Sequence, residues 1–288
     1  MSDSANPVTA ASLAPLKDWI GRSESVSEVL APAQAAKLAA TIDLAHAPVT
    51  GEPLPPLWHW MFFNAVAPAG EIGPDGHPKR GGFLPPVPLP RRMWAASRLS
   101  FETPLRVGEM ATRRAEIADV EIKDGRSGLL VFVTIRYRIS TTGGGAMEEE
   151  NTVVYRGAAA TATATVADPA PTNSRWRREI YPDPVLLFRY SAVTFNGHRI
   201  HYDQPYVTGV EGYPGLVVHG PLTATLLAEH LRAHWPAAPS GVSIRARSPL
   251  FAPAPFTVHG LPEEGDKRVA LWAANAAGGL AMTMEARF

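Results

Sequence analysis

Two distant segments of the chain echo each other. Ser100-Phe-Glu-Thr103-Pro104-Leu105-Arg-Val-Gly108 parallels Ile244-Arg-Ala-Arg-Ser248-Pro249-Leu250-Phe-Ala252, and each opens a run of strand-like segments. In the first half these are residues 98–101, 116–123, 129–139 and 148–156, parted by the turn signals Asp124-Gly125 and Thr142-Gly143-Gly144-Gly145. In the second half they are residues 242–247, 256–261, 268–275 and 280–288. A helical run precedes them: Leu222, Leu226, Leu227, Leu231 and Trp235 recur at helical spacing, and Pro236 stops the run. Residues 16–20 and 32–45 have helical composition in the first half. Two β-rich halves built on one plan suggest a tandem duplication. The predicted fold is α+β, with one curved antiparallel sheet and one long helix per half. At 288 residues the chain is long enough for two modules.

Composition bears on function more than on fold. Lys plus Arg and Asp plus Glu balance at 27 each, so neither nucleic acid nor an anionic membrane is favoured as a partner. The absence of cysteine excludes disulfides, thiolate metal sites and a cysteine nucleophile. The start, Met-Ser-Asp-Ser-Ala-Asn-Pro, has no basic region followed by an apolar one, and no apolar run approaches membrane-spanning length. A cytoplasmic protein is the expectation. The 28 prolines are about twice the average share, and those in loops reduce the entropy lost on folding. Residues 1–12 are expected to lack fixed structure. Residues 157–173, rich in Ala, Thr, Pro and Asp, read as a final strand running into a linker.

Chemistry concentrates between residues 188 and 235. Asn196, His198 and His201 set polar, titratable groups among Val193, Phe195, Ile200 and Tyr202. On a straight strand Asn196 and His201 would face opposite sides, and on a helix they would lie about 140° apart. They converge only if the segment turns between them, and Gly197 makes a turn cheap. Asp183-Pro184 reads as a helix cap and first helical residue, followed by Leu186, Leu187 and Tyr190 at helical spacing. Further on, Pro221 suits the first turn of the long helix, with Gly220 near its cap. Free N–H groups and partial positive charge at such a terminus can hold a developing oxyanion.

This stretch resembles the hydratase 2 motif of MaoC-type enoyl-thioester hydratases, roughly Tyr-x-x-Val-Ser/Thr-Gly-Asp-x-Asn-Pro-Ile/Leu-His. Against it the chain has Tyr190, Val193, Thr194, Phe195 for Gly, Asn196 for Asp, His198 for Asn, Arg199 for Pro, Ile200 and His201. The run Val-His219-Gly220 followed by a helix also fits. The version Thr-Phe-Asn-Gly-His-Arg-Ile-His-Tyr-Asp is similar to a subgroup: type 2 hydroxyacyl-thioester dehydratases and the mesaconyl-, itaconyl- and methylfumaryl-CoA hydratases. So is the upstream Gly-Pro-Asp-Gly-His-Pro and the proline-rich run ending Arg91-Arg92-Met-Trp94. The resemblance implies a double hotdog. Residues 1–160 would form a substrate-shaping half, 161–180 a linker, and 181–288 the half carrying the motif. It further implies a hydro-lyase acting on an acyl-CoA, with coenzyme A as part of the substrate, no separate cofactor or metal, and room for a homodimer.

The residue roles follow from that resemblance. His201 is the catalytic imidazole, Gly220 supplies an oxyanion N–H, and Asn196 stands where the family has its acid. An amide takes no proton near neutral pH and can only orient water or an imidazole. Tyr190, His198, Arg199, Arg91 and Arg92 are candidates for substrate contacts, beside plainer structural roles for each. The cluster Trp58, Trp60, Phe62 and Phe63 reads as core, or as the wall of an acyl pocket. Among short branched C4-dicarboxylyl thioesters, a free carboxylate would need one of Arg91, Arg92, Arg189, Arg199, Arg245 or Arg247 as partner. Three alternatives stay open: a fatty-acid dehydratase, a non-catalytic thioester binder, and a metal enzyme using His198, His201, Asp203 and His219.

Overall fold

The computed structural model describes residues 8–125, 128–157, 167–263, 265 and 267–288. Ten strands form one antiparallel sheet: β1 (Ser23–Val29), β2 (Arg91–Thr103), β3 (Met110–Gly125), β4 (Gly128–Thr141), β5 (Ala146–Arg156), β6 (Trp176–Ile180), β7 (Gly241–Ala246), β8 (Phe256–Pro262), β9 (Arg268–Asn275) and β10 (Leu280–Arg287). Their order is β1-β3-β4-β5-β2-β7-β10-β9-β8-β6. Read from either edge, the two halves give the same sequence of strands, so the plan is a duplicated one. The halves meet where β2 pairs with β7, from Ala96↔Arg245 to Ser100↔Gly241. The echoed Thr-Pro-Leu and Ser-Pro-Leu segments leave these two joining strands. Their leucines, Leu105 and Leu250, sit in one core cluster.

Side-chain alternation drives the strands. On β4, Val131, Val133, Ile135 and Ile139 are buried on one face at a period of two. Among the described residues five α-helices accompany the sheet: α1 (Ala10–Leu13), α2 (Pro32–Thr41), α3 (Pro184–Val193), α4 (Gln204–Gly209) and α5 (Gly220–His234). Every residue of α5 from Leu222 to Leu231 is buried. Thr223 and Thr225 therefore satisfy their hydroxyls on the carbonyls of His219 and Pro221. The helix of the first half is shorter than expected, with ten residues in α2 against fifteen in α5.

Three expectations change. Residues 10–13 of the supposedly unstructured start form α1, capped by Thr9; residues 1–7 lie outside the described residues. The expected linker, residues 161–180, ends in a strand, because β6 pairs with β8 from Trp176↔Gly260 to Ile180↔Phe256; residues 158–166 lie outside the described residues. β1, Ser-Glu-Ser-Val-Ser-Glu-Val, is a mostly exposed edge strand with no apolar face to announce it. Charged edges of this kind resist pairing with other chains.

The segment between α2 and β2 ties the first half to the second. Trp58 donates through Nε1 to Glu229 of α5 at 2.9 Å, inside the core. Trp58, Phe62 and Phe63 are core residues, as expected. His59, Trp60 and Ser97 all bond Glu149, which is 2% exposed. Burial alone would raise the Glu149 carboxyl; hydrogen bonds and charge from His59, with Trp60 and Ser97, overcome it and hold the group below its usual range. Among the described residues no helix is long and apolar enough to cross a membrane.

Candidate active site

α3 starts where Asp183 accepts from the Leu186 N–H and ends against Thr194, whose hydroxyl bonds the Tyr190 carbonyl. The chain then turns. Phe195 takes a left-handed conformation with φ 50°, and the Asn196 side chain accepts the His198 N–H at 3.0 Å. The short turn Arg199–His201 follows, and Asp203 caps α4. The predicted turn is present, but Gly197 is not its left-handed residue. Its smallness serves another contact: a Cβ there would lie 2.7 Å from the Gly76 carbonyl oxygen. Gly76, at φ +88°, has the reciprocal constraint against the Gly197 carbonyl. The Gly-Pro-Asp-Gly-His-Pro loop of the first half thus lies backbone to backbone on the motif of the second.

His201 is buried, and its Nδ1–H donates to the Val217 carbonyl at 2.6 Å. That bond fixes the tautomer and leaves Nε2 bare. Burial pushes its pKa down to about 4, the Val217 bond opposing, so the imidazole is neutral at pH 7. Its ring stacks on His219 with centroids 3.6 Å apart. His219 precedes α5 and bonds the Ser191 hydroxyl through Nε2 at 2.8 Å. On the other side His198 meets His201 edge to face at 5.5 Å. Burial, then the neighbouring His77 and His201, push the His198 pKa down to about 2.

A cavity of about 990 Å³ opens beside this cluster, lined from both halves. The second half contributes Tyr190, Ser191, Asn196 and Pro221, and the first contributes Trp60, Phe63, His77 and Arg92. Tyr190 is buried, which pushes its hydroxyl pKa up and keeps the phenol protonated, while its ring edge meets His219. Gly220 is the first residue of α5, so its N–H has no partner within the helix. A Cβ on it would fall 2.8 Å from the Trp94 ring. His201 lies just behind the cavity wall rather than in it.

The arginines separate clearly. Arg199 bonds Asp203 at 2.7 Å and the Pro74 carbonyl at 3.0 Å, with its guanidinium over Tyr206. It clasps the loop to the motif, a structural role beside the substrate contact expected of it. Arg91 is likewise spent, on the Glu211 carbonyl at 2.7 Å and over Tyr213. Arg189, Arg245 and Arg247 are exposed, away from the cavity. Arg92 lines the cavity and has no carboxylate at ion-pair distance among the described residues. The histidine–carboxylate set weighed for metal is not the one brought together, because Asp203 is committed to Arg199 and to the Tyr206 N–H. Among the described residues, the group with ligand atoms within 4.8 Å of one another is Asp75, His77 and His198.

A family profile described as hydroxyacyl-thioester dehydratase type 2 matches residues 57–252. The chain belongs to that family. A mesaconyl-C(4)-CoA hydratase of Chloroflexus aurantiacus is 49% identical over 251 residues, spanning 86% of this chain and 89% of that protein. A mitochondrial hydroxyacyl-thioester dehydratase type 2 of Schizosaccharomyces pombe is 27% identical, over 71% and 77% of the two chains. Among solved structures, HtdX of Mycobacterium tuberculosis is similar with a TM-score of 0.63 at 21% identity, covering 92% of this chain and 99% of that one. A second M. tuberculosis protein, described as a double hotdog, aligns with a TM-score of 0.54 at 14% identity over 93% and 96%. The fold is a double hotdog, and the chain, as a type 2 dehydratase family member, is a hydro-lyase. Within the family motif the acid position is Asn196, whose side-chain oxygen is taken by the turn. Asp75 and His77 carry the carboxylate and imidazole that motif reading passed over. Their run marked the resemblance but gave no spacing that pointed to a site 120 residues further along the chain.

Proposed function

We propose that the protein catalyses the reversible addition of water to a C4-dicarboxylyl-CoA, such as mesaconyl-C4-CoA, 3-methylfumaryl-CoA or itaconyl-CoA. The observation that carries this reading is the neutral His201, locked at Nδ1 and bare at Nε2, beside the N-terminus of α5 in a chain 49% identical to a mesaconyl-C(4)-CoA hydratase. The thioester makes Cβ electrophilic and Cα acidic, so the chemistry calls for no redox cofactor or metal. His201 Nε2 accepts a hydrogen bond from water and activates it for attack on Cβ. Charge gathers on the thioester oxygen, where the Gly220 N–H and the helix dipole stabilise it. Protonation at Cα completes the addition, and dehydration is the reverse path. Asn196 orients the turn that presents these groups. Residues 1–160 would shape the acyl site and residues 181–288 would carry the motif, in a cytoplasmic enzyme.

The free carboxylate of such a substrate needs a cation in an otherwise apolar tunnel. Arg92 is the supported partner: it lines the cavity, it has no carboxylate at ion-pair distance among the described residues, and it is close enough to His77 and His198 to bias their protonation. An absorbance screen at the enoyl-thioester band tests both points. Mesaconyl-C4-CoA or a close dicarboxylyl relative should exceed crotonyl-CoA in kcat/KM by well over tenfold, and Arg92→Gln should remove most of that margin. Equal efficiency on crotonyl-CoA, or a preference for long acyl chains, would move the enzyme to the fatty-acid dehydratase branch.

A further inference from the structure

We propose that Asp75 and His77 of the first half supply the second member of the acid–base pair that the motif lacks at Asn196, with His77 exchanging the proton and Asp75 positioning it. The proposal rests on the hydration reading above. An amide cannot accept a proton near neutral pH, and the Asn196 oxygen is already bonded to the His198 N–H. His201 has only a carbonyl behind its Nδ1, so nothing with full negative charge stabilises its protonated form. His77 differs on both counts. Asp75 Oδ2 accepts from its Nδ1–H at 3.3 Å, while Asp75 Oδ1 accepts from its backbone N–H at 3.0 Å. The carboxylate thus fixes ring orientation and tautomer together, leaving Nε2 without its proton. His77, unlike His201, lines the acyl cavity.

The loop is held firmly enough for such a role. The Arg199 N–H donates to the Asp75 carbonyl at 2.9 Å, Arg199 Nη1 bonds the Pro74 carbonyl, and Gly76 rests on Gly197. The His77 ring packs on His198 at 4.1 Å, and His198 in turn contacts His201. The three imidazoles form one array across the boundary between halves. Asp75, His77 and His198 also bring polar atoms within 4.8 Å of one another. The bond between Asp75 and His77 favours the dyad, because the carboxylate is directed at the imidazole N–H and not left open towards a common centre.

In hydration the attacking water donates one hydrogen bond to His201 Nε2 and the other to His77 Nε2. As the water oxygen bonds Cβ, its O–H bond to His77 breaks and the π pair moves onto the thioester oxygen. Asp75 stabilises the imidazolium that results. When the enolate collapses, His77 returns that proton to Cα, so H and OH are added across the double bond, the neutral His77 imidazole is regenerated and His201 stays neutral throughout. The groups facing His77 are Asp75, His198, Arg92 and Arg80. Burial lowers the His77 pKa and Arg92 and Arg80 act in the same sense, while Asp75 raises it.

The test follows hydration of mesaconyl-C4-CoA by the full chain across pH. His77→Gln should lower kcat by at least ~10²-fold with KM changed only a few-fold and the melting temperature near wild type. Asp75→Asn keeps Oδ1 for the loop but removes the charge. It should lower kcat and shift the acidic limb of the kcat profile to lower pH, because His77 loses the group that raises its pKa. A merely structural Asp75 would change stability or kcat without moving that limb. Undiminished kcat in His77→Gln, or an unmoved limb in Asp75→Asn, overturns the assignment while leaving the hydratase reading intact. Activity lost on chelation and restored by a divalent cation overturns it in favour of a metal centre. Failure of the wild-type protein on every enoyl-CoA tried would defeat the hydratase reading, and this assignment with it.

Discussion

In the proposed mechanism His201 can accept a hydrogen bond from water only because of where its other nitrogen points. The Val217 carbonyl holds the proton on Nδ1, and burial keeps the ring neutral well below pH 7. Removing the ring removes an acceptor that only the motif turn can place, so His201→Ala should reduce kcat by at least ~10²-fold. The stacked His219 has its own tether to Ser191, so the fold should persist. Steady-state rates beside circular dichroism check this, and near-wild-type turnover in the variant would remove His201 from the mechanism. At this scale the turn that holds His201 and the helix start at Gly220 were readable, because a motif spacing and a Gly-Pro pair are local signals. The arginines were not readable. Their type announces charge, whereas their use depends on partners far away in the chain, such as Glu211 for Arg91 and the Pro74 carbonyl for Arg199.

Between elements, the contact that assembles the site is made by two glycines. Gly76 sits at φ +88°, and an added Cβ there would collide with the Gly197 carbonyl oxygen, which is backbone and cannot swing away. Gly76→Ala should therefore push the first-half loop off the motif, displacing Asp75 and His77 and weakening the Arg199 clasp. We expect kcat/KM to fall by at least ~10-fold, with only a small drop in melting temperature because the core clusters do not include this loop. Wild-type kinetics in Gly76→Ala would show that the loop is dispensable. Elements were legible where periodicity was strong: β4, α3 and α5 follow their apolar patterns. β1 and β6 were missed because Ser-Glu-Ser-Val-Ser-Glu-Val and Trp-Arg-Arg-Glu-Ile show their polar sides to water as edge strands, and edge pairing leaves no alternation to read. Gly197 was read for conformational freedom in a turn, whereas the structure uses its smallness. Its partner Gly76 belongs to the other half.

Across the whole molecule, buried histidines at the site and on α5 fold in their neutral form. Burial is the leading cause for each: it takes His201 and His230 down to about 4 and His198 to about 2, and it lowers His77 and His219 as well. In the unfolded chain the same residues titrate near 6.5. Between about pH 6.5 and pH 4 the unfolded state therefore binds protons that the folded state refuses, and stability must fall as pH falls. Each such histidine contributes a slope of up to about 1.4 kcal/mol per pH unit once pH is below its unfolded value. Glu149 and Asp75 have depressed values, so their stabilising effect is present above the usual carboxylate range and is lost only under more acidic conditions. The loss between pH 6.5 and 4 thus belongs to the histidines. Urea unfolding of the full chain should give a midpoint that is flat above about pH 7 and declines steeply towards pH 5. His230→Gln, on α5 and outside the cavity lining, should make that decline shallower by up to one proton's worth while leaving hydration of the thioester in place. A midpoint that stays level down to pH 5 would mean that these rings are charged in the folded protein, and a charged His201 could not accept a hydrogen bond from the attacking water.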